Sequence, residues 1–203
     1  MLDSSIKILK FLPPELAHSI TINVLKYLKL NFKNNDDPIL SQHLNGLDFP
    51  NPLGLAAGFD KNAEVVKSMF GLGFGFIEVG TVTPKPQRGN QKPRVFRLDQ
   101  DNAIINSLGF NNKGSKKVKN NISKLKNSLV TNRIVGINLG KNKDSLNSID
   151  DYLFGMEQLG NLASYITINI SSPNTEGLRN LQLRGNIENL IKQIISKRKE
   201  IES

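Results

Sequence analysis

Apolar stretches of strand length alternate with amphipathic stretches of helix length through most of the chain after residue 50. Four strand–helix pairs follow one another, and the strands are nearly continuous in apolar residues, with almost nothing polar inside them. Such strands are typical of a parallel sheet buried on both faces. The predicted pairs are LGLAAGF with NAEVVKSMF, FIEVGTV with NKGSKKVKNNISKLK, RIVGINL with IDDYLFGMEQLG, and YITINI with NIENLIKQIISKRKE.

Two short helices are predicted before this repeat, SSIKILKFL and ELAHSITINVLKYLKL, separated by Pro13–Pro14. The second helix has an apolar stripe with a four-residue period. Its members are Leu16, Ile20, Val24 and Leu28, with Tyr27 beside them. Basic amphipathic helices of this kind either lie on a membrane surface or pack on the main domain.

Polar residues 31–38 predict a linker, and Asn45–Gly46, between alternating apolar and polar residues, predicts a hairpin. The chain is therefore divided into an N-terminal helical extension, residues 1–35, and a β/α domain, residues 36–203.

A doubly wound nucleotide-binding fold and a β/α barrel both fit four β/α units. The glycine-rich stretch GLGFG (71–75) superficially favours the first fold. However, a dinucleotide fingerprint follows a strand and opens a helix, whereas these glycines precede a strand, so we interpret them as a helix end and turn. Unusual polar or small residues follow all four strands, in AAGFDK, GTVTP, NLGKN and NISSPN. This pattern is typical of a barrel, whose catalytic residues lie at the carboxyl ends of its strands.

The composition of the chain excludes several kinds of functional site. The 203 residues include no cysteine and two histidines, which excludes disulfides and a cysteine nucleophile and argues against a metal site. No apolar run is long enough to cross a membrane. The formal charge of +9 comes mostly from lysines on predicted helices, as in KGSKKVKNNISKLKN (113–127). No aromatic residues interleave with these lysines, which favours a solvated helix face over a nucleic-acid surface.

The strand ends are rich in amides and poor in carboxylates. Ala57 and Gly58 offer bare backbone that a flat ring can approach, and Lys61 is a cation suited to an anionic substrate. Amides and hydroxyls at Thr81, Asn138 and Asn169 match a heterocycle edge of alternating carbonyl and N–H groups. Ser172 is the compact proton-acceptor candidate. A planar heterocycle fits this set of residues better than metal-assisted hydrolysis does.

Five blocks together resemble the dihydroorotate dehydrogenase family, in order and over essentially the whole chain. They are NPLGLAAGFDKN, GFIEVGTVTPKPQRGNQKPRVFRL, NSLGFNN, GINLGKNK and INISSPNTEGLRNLQ. The resemblance implies a (β/α)8 TIM barrel, an α/β fold, with FMN as cofactor. It implies the oxidation of (S)-dihydroorotate to orotate in pyrimidine biosynthesis.

The resemblance also implies a role for each candidate residue. FMN would be contacted by Ala57, Gly58, Lys61, Thr81, Asn138 and Asn169. Dihydroorotate would be held by Lys61, by Asn106, Ser107, Leu108, Gly109 and Phe110, and by Asn169 and Asn174. Ser172 would be the catalytic base, and no metal is expected.

Ser172 and the missing cysteine resemble the quinone-dependent class, because soluble members use a cysteine base. The N-terminal helices resemble that class's extension. A membrane quinone is thus an expected partner, with His18 and Arg97 near its path. The implied location is peripheral, on the cytoplasmic face of the bacterial inner membrane.

Only the family's first four β/α units are matched, so we expect a truncated chain that is inactive alone. Two alternatives stay open: a basic binding module without enzyme activity, and another FMN barrel oxidoreductase acting on a dihydropyrimidine.

Overall fold

The computed structural model describes residues 9–28, 36–126 and 133–202. Helix α1 (Pro14–Tyr27) carries a proline in its first turn, where the missing N–H leaves no helical hydrogen bond unmade. Four residues of the first predicted helix are described: Leu9 and Lys10 are helical, whereas Phe11 and Leu12 form a turn. Residues 1–8 lie outside the described ranges. Residues 31–35 of the predicted linker also lie outside them.

Helix α1 packs on the main domain through Ala17, Ile22 and Leu25, which are buried. The apolar stripe predicted for this helix lies on another face and is exposed, with Val24 at 52% and Tyr27 at 86% of their full surface. One face of α1 therefore packs on the main domain, while a second, apolar face of the same helix is exposed.

The predicted hairpin is confirmed. Strands β1 (Gln42–Leu44) and β2 (Leu47–Phe49) pair antiparallel across a two-residue turn. Both turn residues, Asn45 and Gly46, have positive φ angles of 50° and 77°. This is the backbone that a tight hairpin requires and that asparagine and glycine adopt most readily.

All four predicted β/α units are confirmed, with β3 and α2 shorter than expected. The remaining elements are, in chain order, β3 (Gly54–Leu55), α2 (Val66–Gly71), β4 (Phe76–Val82), β5 (Val95–Leu98), β6 (Ala103–Asn106), α3 (Ser115–Lys126), β7 (Ile134–Leu139), α4 (Ser148–Leu159), β8 (Tyr165–Ile168) and α5 (Arg184–Glu202). Strands β3, β4, β7 and β8 form one parallel sheet in that spatial order. Sequential order without reversal is typical of a barrel wall rather than a doubly wound sheet.

The segment between β4 and α3, predicted as a plain long loop, contains the antiparallel pair β5 and β6. The GLGFG stretch ends α2 and turns into β4, as predicted: α2 ends at Gly71, Gly73 has a φ of +100°, and β4 begins at Phe76. Among the described residues, no helix has the length and apolar character needed to cross a membrane.

The two faces of the sheet differ in polarity. Ile77, Val79 and Ile137 are fully buried in the hydrophobic core between sheet and helices. The other face, called the inner face below, carries Glu78 and Thr167, which hydrogen-bond to each other. The few polar residues inside these strands therefore pair across the inner face, which the nearly apolar strand pattern did not predict.

On α3 the apolar residues Val118 and Ile122 are buried, whereas Lys116, Lys117 and Lys119 are exposed. These lysines thus lie on the exposed face of the helix, opposite the buried apolar residues.

Candidate active site

Thr81, Asn138 and Asn169 meet at the carboxyl ends of three adjacent strands. The Thr81 hydroxyl donates to Asn138 Oδ1 at 2.7 Å. Asn169 Nδ2 donates to Thr81 Oγ1 at 3.1 Å and to Asn138 Oδ1 at 3.2 Å. Parallel strands place their carboxyl ends on one edge, so three residues far apart in sequence form one cluster. We call Thr81, Asn138 and Asn169 the amide cluster.

The inner face supports the amide cluster from below through Glu78, which sequence reasoning missed. Its Oε1 accepts a hydrogen bond from Asn138 Nδ2 at 2.8 Å. Its Oε2 accepts from Thr167 Oγ1 at 2.9 Å and from Tyr165 Oη at 3.1 Å. Burial, together with the charge of Glu78, raises the pKa of Tyr165, so the phenol stays protonated and remains a donor. A carboxylate inside the apolar run FIEVGTV was the signal for this residue.

Lys61 lies in the turn after β3, where its Nζ donates to the carbonyl of Gly58 at 2.7 Å. Burial lowers the pKa of Lys61, and the nearby Arg94 lowers it further, against the opposing effects of Glu15 and Asp60. A half-buried cation beside a second cation favours an anionic ligand.

Gly58 follows Ala57 at the start of the same turn. Its N–H donates to the carbonyl of Gly80 at 2.8 Å. Its φ is +115°, and a Cβ added there would meet nothing within 4 Å. The backbone thus borders open space, as a flat ring lying against it requires.

Asp60, another residue that sequence reasoning missed, shapes this turn. Its carboxylate is 1% exposed and accepts hydrogen bonds from the backbone N–H groups of Val65 at 2.7 Å and Glu64 at 2.8 Å. Burial raises the pKa of Asp60 despite these hydrogen bonds. The sequence signal was weak, because an Asp beside a Lys is commonly a surface pair.

The segment from Asn106 to Phe110 lies against the loop that follows β8. Asn174 Nδ2 donates to the carbonyl of Asn106 at 3.4 Å. Asn90 Nδ2 joins the two segments from one side, donating to the carbonyls of Ser107 at 2.9 Å and Asn174 at 3.3 Å. Further along, the carbonyls of Leu108 and Gly109 accept from Asn90 N and Gln87 Nε2, respectively. Phe110 is 9% exposed and belongs to the core as well as to this wall.

Ser172 is half-buried in the loop after β8. Among the described residues, its hydroxyl oxygen has one hydrogen bond, accepted from Asn174 N at 3.2 Å. The hydroxyl of Ser172 therefore donates to no protein group within the described ranges. Beyond it, Gly177 takes a left-handed conformation with φ of +70° and is followed by a short 3-10 turn, Leu178–Gln182.

The two residues predicted near a quinone path both contact the junction with the N-terminal helices. His18 Nε2 lies 2.7 Å from the carbonyl of Phe59, and the two rings meet edge to face at 5.3 Å. Arg97 donates to the carbonyls of Leu12 at 2.6 Å and Lys10 at 2.9 Å. Arg97 therefore holds the turn before α1, while His18 holds the loop of Lys61.

A cavity of about 280 Å³ separates α1 from this loop, with His18, Phe59, Lys61 and Asn111 in its walls. Asn111 Oδ1 is buried with no hydrogen-bond partner among the described residues. The cavity connects the surroundings of Lys61 with the inward side of α1.

Arg94, also missed from sequence, fixes α1 to the main domain. It is 5% exposed and donates to Glu15 through Nη2 at 2.8 Å and Nε at 3.1 Å. Burial alone would raise the pKa of Glu15, but Arg94, with help from Lys92, holds it below its usual value. No group of three or more acidic or histidine side chains suited to a metal occurs in residues 9–28, 36–126 and 133–202.

Residues 39–202 match the family described as Dihydroorotate dehydrogenase. The chain belongs to the dihydroorotate dehydrogenase family. Among its relatives, a dihydroorotate dehydrogenase (quinone) from Bradyrhizobium diazoefficiens is 47% identical over 197 residues, which cover 97% of this chain and 53% of the relative. One from Novosphingobium aromaticivorans is 50% identical over 189 residues, which cover 92% of this chain and 54% of that relative. The chain spans about half the length of the relatives it matches.

Solved dihydroorotate dehydrogenase structures agree. The enzyme from Eimeria tenella in complex with ferulenol superposes with a TM-score of 0.87 at 46% identity, covering 93% of this chain and 52% of that one. The ligand-free form of the same enzyme superposes with a TM-score of 0.85, also at 46% identity. The four-stranded sheet with its helices thus corresponds to a portion of a TIM barrel, as the strand order indicated.

Proposed function

We propose that this chain carries the flavin and substrate residues of a quinone-dependent dihydroorotate dehydrogenase, which oxidises (S)-dihydroorotate to orotate in pyrimidine biosynthesis. The observation that carries the proposal is the amide cluster, formed at the carboxyl ends of three adjacent strands in a member of this family. Lys61 and the open backbone at Gly58 border the same strand ends.

The residues present fit one side of a flat, uncharged ring system. Gly58 leaves open space beside its backbone, and the amide cluster offers hydroxyl and amide groups already oriented by one another. Ala57, Gly58, Thr81, Asn138 and Asn169, together with Lys61, would hold FMN. The chemistry that FMN supplies when bound is acceptance of a hydride and transfer of its electrons to a quinone.

The substrate roles follow from charge and position. Lys61 would bind the carboxylate of dihydroorotate, because it is a partly buried cation whose hydrogen-bond partner is a neutral carbonyl. The segment Asn106–Phe110, Asn169 and Asn174 would hold the ring. Ser172 Oγ would take the proton from the carbon next to the ring carbonyl. Serine is a weak base, so it requires a site from which bulk water is excluded and a relay that takes the hydroxyl's own proton as the ring proton arrives. The loop containing Gly177 would provide the cover.

We further propose that the N-terminal helical extension, residues 1–35, meets the cytoplasmic membrane peripherally and admits a quinone past His18 and Arg97. The support is the exposed apolar stripe on α1, together with Phe11 in the preceding turn, which is 89% exposed. An apolar stripe on a helix whose other face is packed on the domain suits a membrane surface.

The test begins with the purified chain and FMN. Bound flavin that co-elutes with the protein in gel filtration is the expected result, and flavin that elutes entirely free would contradict it. In a full-length enzyme that carries this segment, anaerobic bleaching of the flavin is then compared for dihydroorotate and for dihydrouracil, which lacks the carboxylate. Faster bleaching by dihydroorotate supports the assignment, whereas preference for dihydrouracil would indicate the alternative dihydropyrimidine enzyme.

A further inference from the structure

Glu78 lies in the middle of β4 on the inner face, one layer below the amide cluster. Both of its carboxylate oxygens are occupied: Oε1 accepts from Asn138, and Oε2 accepts from Tyr165 and Thr167. A carboxylate oxygen can only accept hydrogen bonds, so every group that faces Glu78 must present a donor.

This requirement fixes which way the Asn138 amide points. Nδ2 faces Glu78, so Oδ1 faces the Thr81 hydroxyl and the Asn169 amide at 2.7 and 3.2 Å. The reversed amide would place oxygen against the carboxylate and set Asn138 Nδ2 against Asn169 Nδ2. An acceptor would then face an acceptor at Glu78, and a donor would face a donor at Asn169. Each of these mismatches leaves a buried polar group without a hydrogen bond.

Glu78 is itself held in place by hydrogen bonds to its other carboxylate oxygen, Oε2. The register aligns Glu78 with Gly136 on β7, and Gly136 with Tyr165 on β8. Because Gly136 has no side chain, the Tyr165 ring crosses β7 and its hydroxyl reaches Glu78 at 3.1 Å. Two hydroxyls thus hold Oε2 of Glu78 in place, and Oε1 accepts the hydrogen bond that orients Asn138.

We propose that Glu78 is a positioning residue of the candidate flavin site. Its carboxylate sets the orientation of the Asn138 amide and, through it, the donors and acceptors that Thr81 and Asn169 present to a bound ring. The inference rests on the proposed function, but it concerns an arrangement that exists before any ligand binds.

The first test compares Glu78→Gln with Glu78→Met in flavin-free protein. The two replacements are similar in size, but only glutamine keeps an acceptor for Asn138, and its amide can donate to the Tyr165 and Thr167 hydroxyls instead. Solvent exchange of the Asn138 side-chain amide protons is measured by NMR, with the signals assigned by their loss in Asn138→Asp. We expect exchange about tenfold to a hundredfold faster in Glu78→Met, and near-wild-type exchange in Glu78→Gln. Unchanged exchange in Glu78→Met would overturn the proposal.

The second test is FMN titration of the same variants. Glu78→Met is expected to weaken binding by about tenfold or more, whereas Glu78→Gln stays within about threefold of wild type. Equal weakening in both variants would show that charge rather than orientation matters and would overturn the proposal. If the wild-type chain bound no FMN, the proposed function would fail, and amide exchange would still decide the role of Glu78.

A third comparison covers the case in which Glu78→Met does not fold. Asn138→Asp keeps an acceptor toward Thr81 and Asn169 but places a carboxylate against Glu78. Adding Glu78→Gln to it restores a donor at that contact. The urea midpoint is expected to fall in Asn138→Asp and to recover at least in part in the double variant. A double variant no more stable than Asn138→Asp alone would contradict the orientation described here.

Discussion

The ring of Tyr165 lies in the space that a side chain at Gly136 would occupy. The two residues are register partners on neighbouring strands. A Cβ at position 136 would collide with the ring carbons and with the phenol oxygen of Tyr165. Glycine at this position is therefore what lets a tyrosine on β8 reach a glutamate on β4.

Gly136→Ala is expected to lower the free energy of unfolding by about 1–3 kcal/mol, because the Tyr165 ring must move and its hydrogen bond to Glu78 is lost. Urea unfolding measures the change. Gly160→Ala is the matched control, since a Cβ there would meet Ile201 at an ordinary 3.6 Å. Equal destabilisation by the two substitutions would contradict the close contact with Tyr165.

In a full-length enzyme that carries this segment, Ser172→Ala is expected to slow flavin reduction by dihydroorotate at least about a hundredfold, the usual range for a lost general base. FMN binding should be unchanged, because the Ser172 hydroxyl oxygen contacts Asn174 N rather than the amide cluster. Stopped-flow bleaching and FMN titration provide the two measurements. Ser196→Ala, at an exposed serine on α5, serves as the control and should retain reduction. A wild-type rate in Ser172→Ala would show that another group takes the proton.

Acid is expected to release α1 from the main domain. The pKa values of Glu15 and Glu64 are held below the usual value by basic partners, Arg94 and Lys92 for Glu15, and Lys113 and Lys26 for Glu64. Because folding lowers these pKa values, the ion pairs stabilise the docked helix above the ordinary glutamate pKa of about 4.3, and that contribution is lost as pH falls through the folded values.

NMR signals of Ala17 and Leu25 should therefore shift toward unfolded positions below about pH 4, before those of β4 do. At neutral pH the double substitution Glu15→Gln with Glu64→Gln should reproduce part of the shift. Glu188→Gln is the control, because that glutamate pairs with Arg184 on the exposed surface of α5. Simultaneous loss of α1 and β4 signals on acidification would argue against separate release.

Val24→Asp is expected to weaken binding to vesicles of anionic lipid by about tenfold or more, because it removes an apolar contact and adds a negative charge within the stripe. Co-sedimentation measures the bound fraction. Leu146→Asp makes the same change of charge at a fully exposed leucine outside α1 and should leave binding nearly unchanged. If both variants bound equally, the stripe would have no special part in membrane contact.

Local signals in the sequence predicted the hairpin and the β/α order well. Asn45–Gly46 specifies its own turn, and each buried strand is bounded by polar residues that mark its end. The amide cluster was also predictable, because parallel strands bring their carboxyl ends together whatever lies between them in sequence.

The inner face was missed for a physical reason. FIEVGTV looks like a strand buried on both faces, but which partner satisfies Glu78 depends on β7 and β8, about 60 and 90 residues away. The hairpin β5–β6 was missed because β6 is exposed along its whole length and β5 is only partly buried, so neither strand shows a clear apolar alternation. On α1, periodicity identified an apolar stripe but could not tell whether the domain or the surroundings cover it.

The loop from Gly58 to Glu64 is joined to α1 at both ends, through His18 to Phe59 and through Lys26 to Glu64. Lys61 lies between these two attachments, whereas the amide cluster is built on strand ends within the sheet. The two halves of the site are therefore attached to different parts of the fold, the amides to the sheet and the cation to a loop that also contacts α1. A tilt of α1 is expected to act on the cation before it acts on the amides.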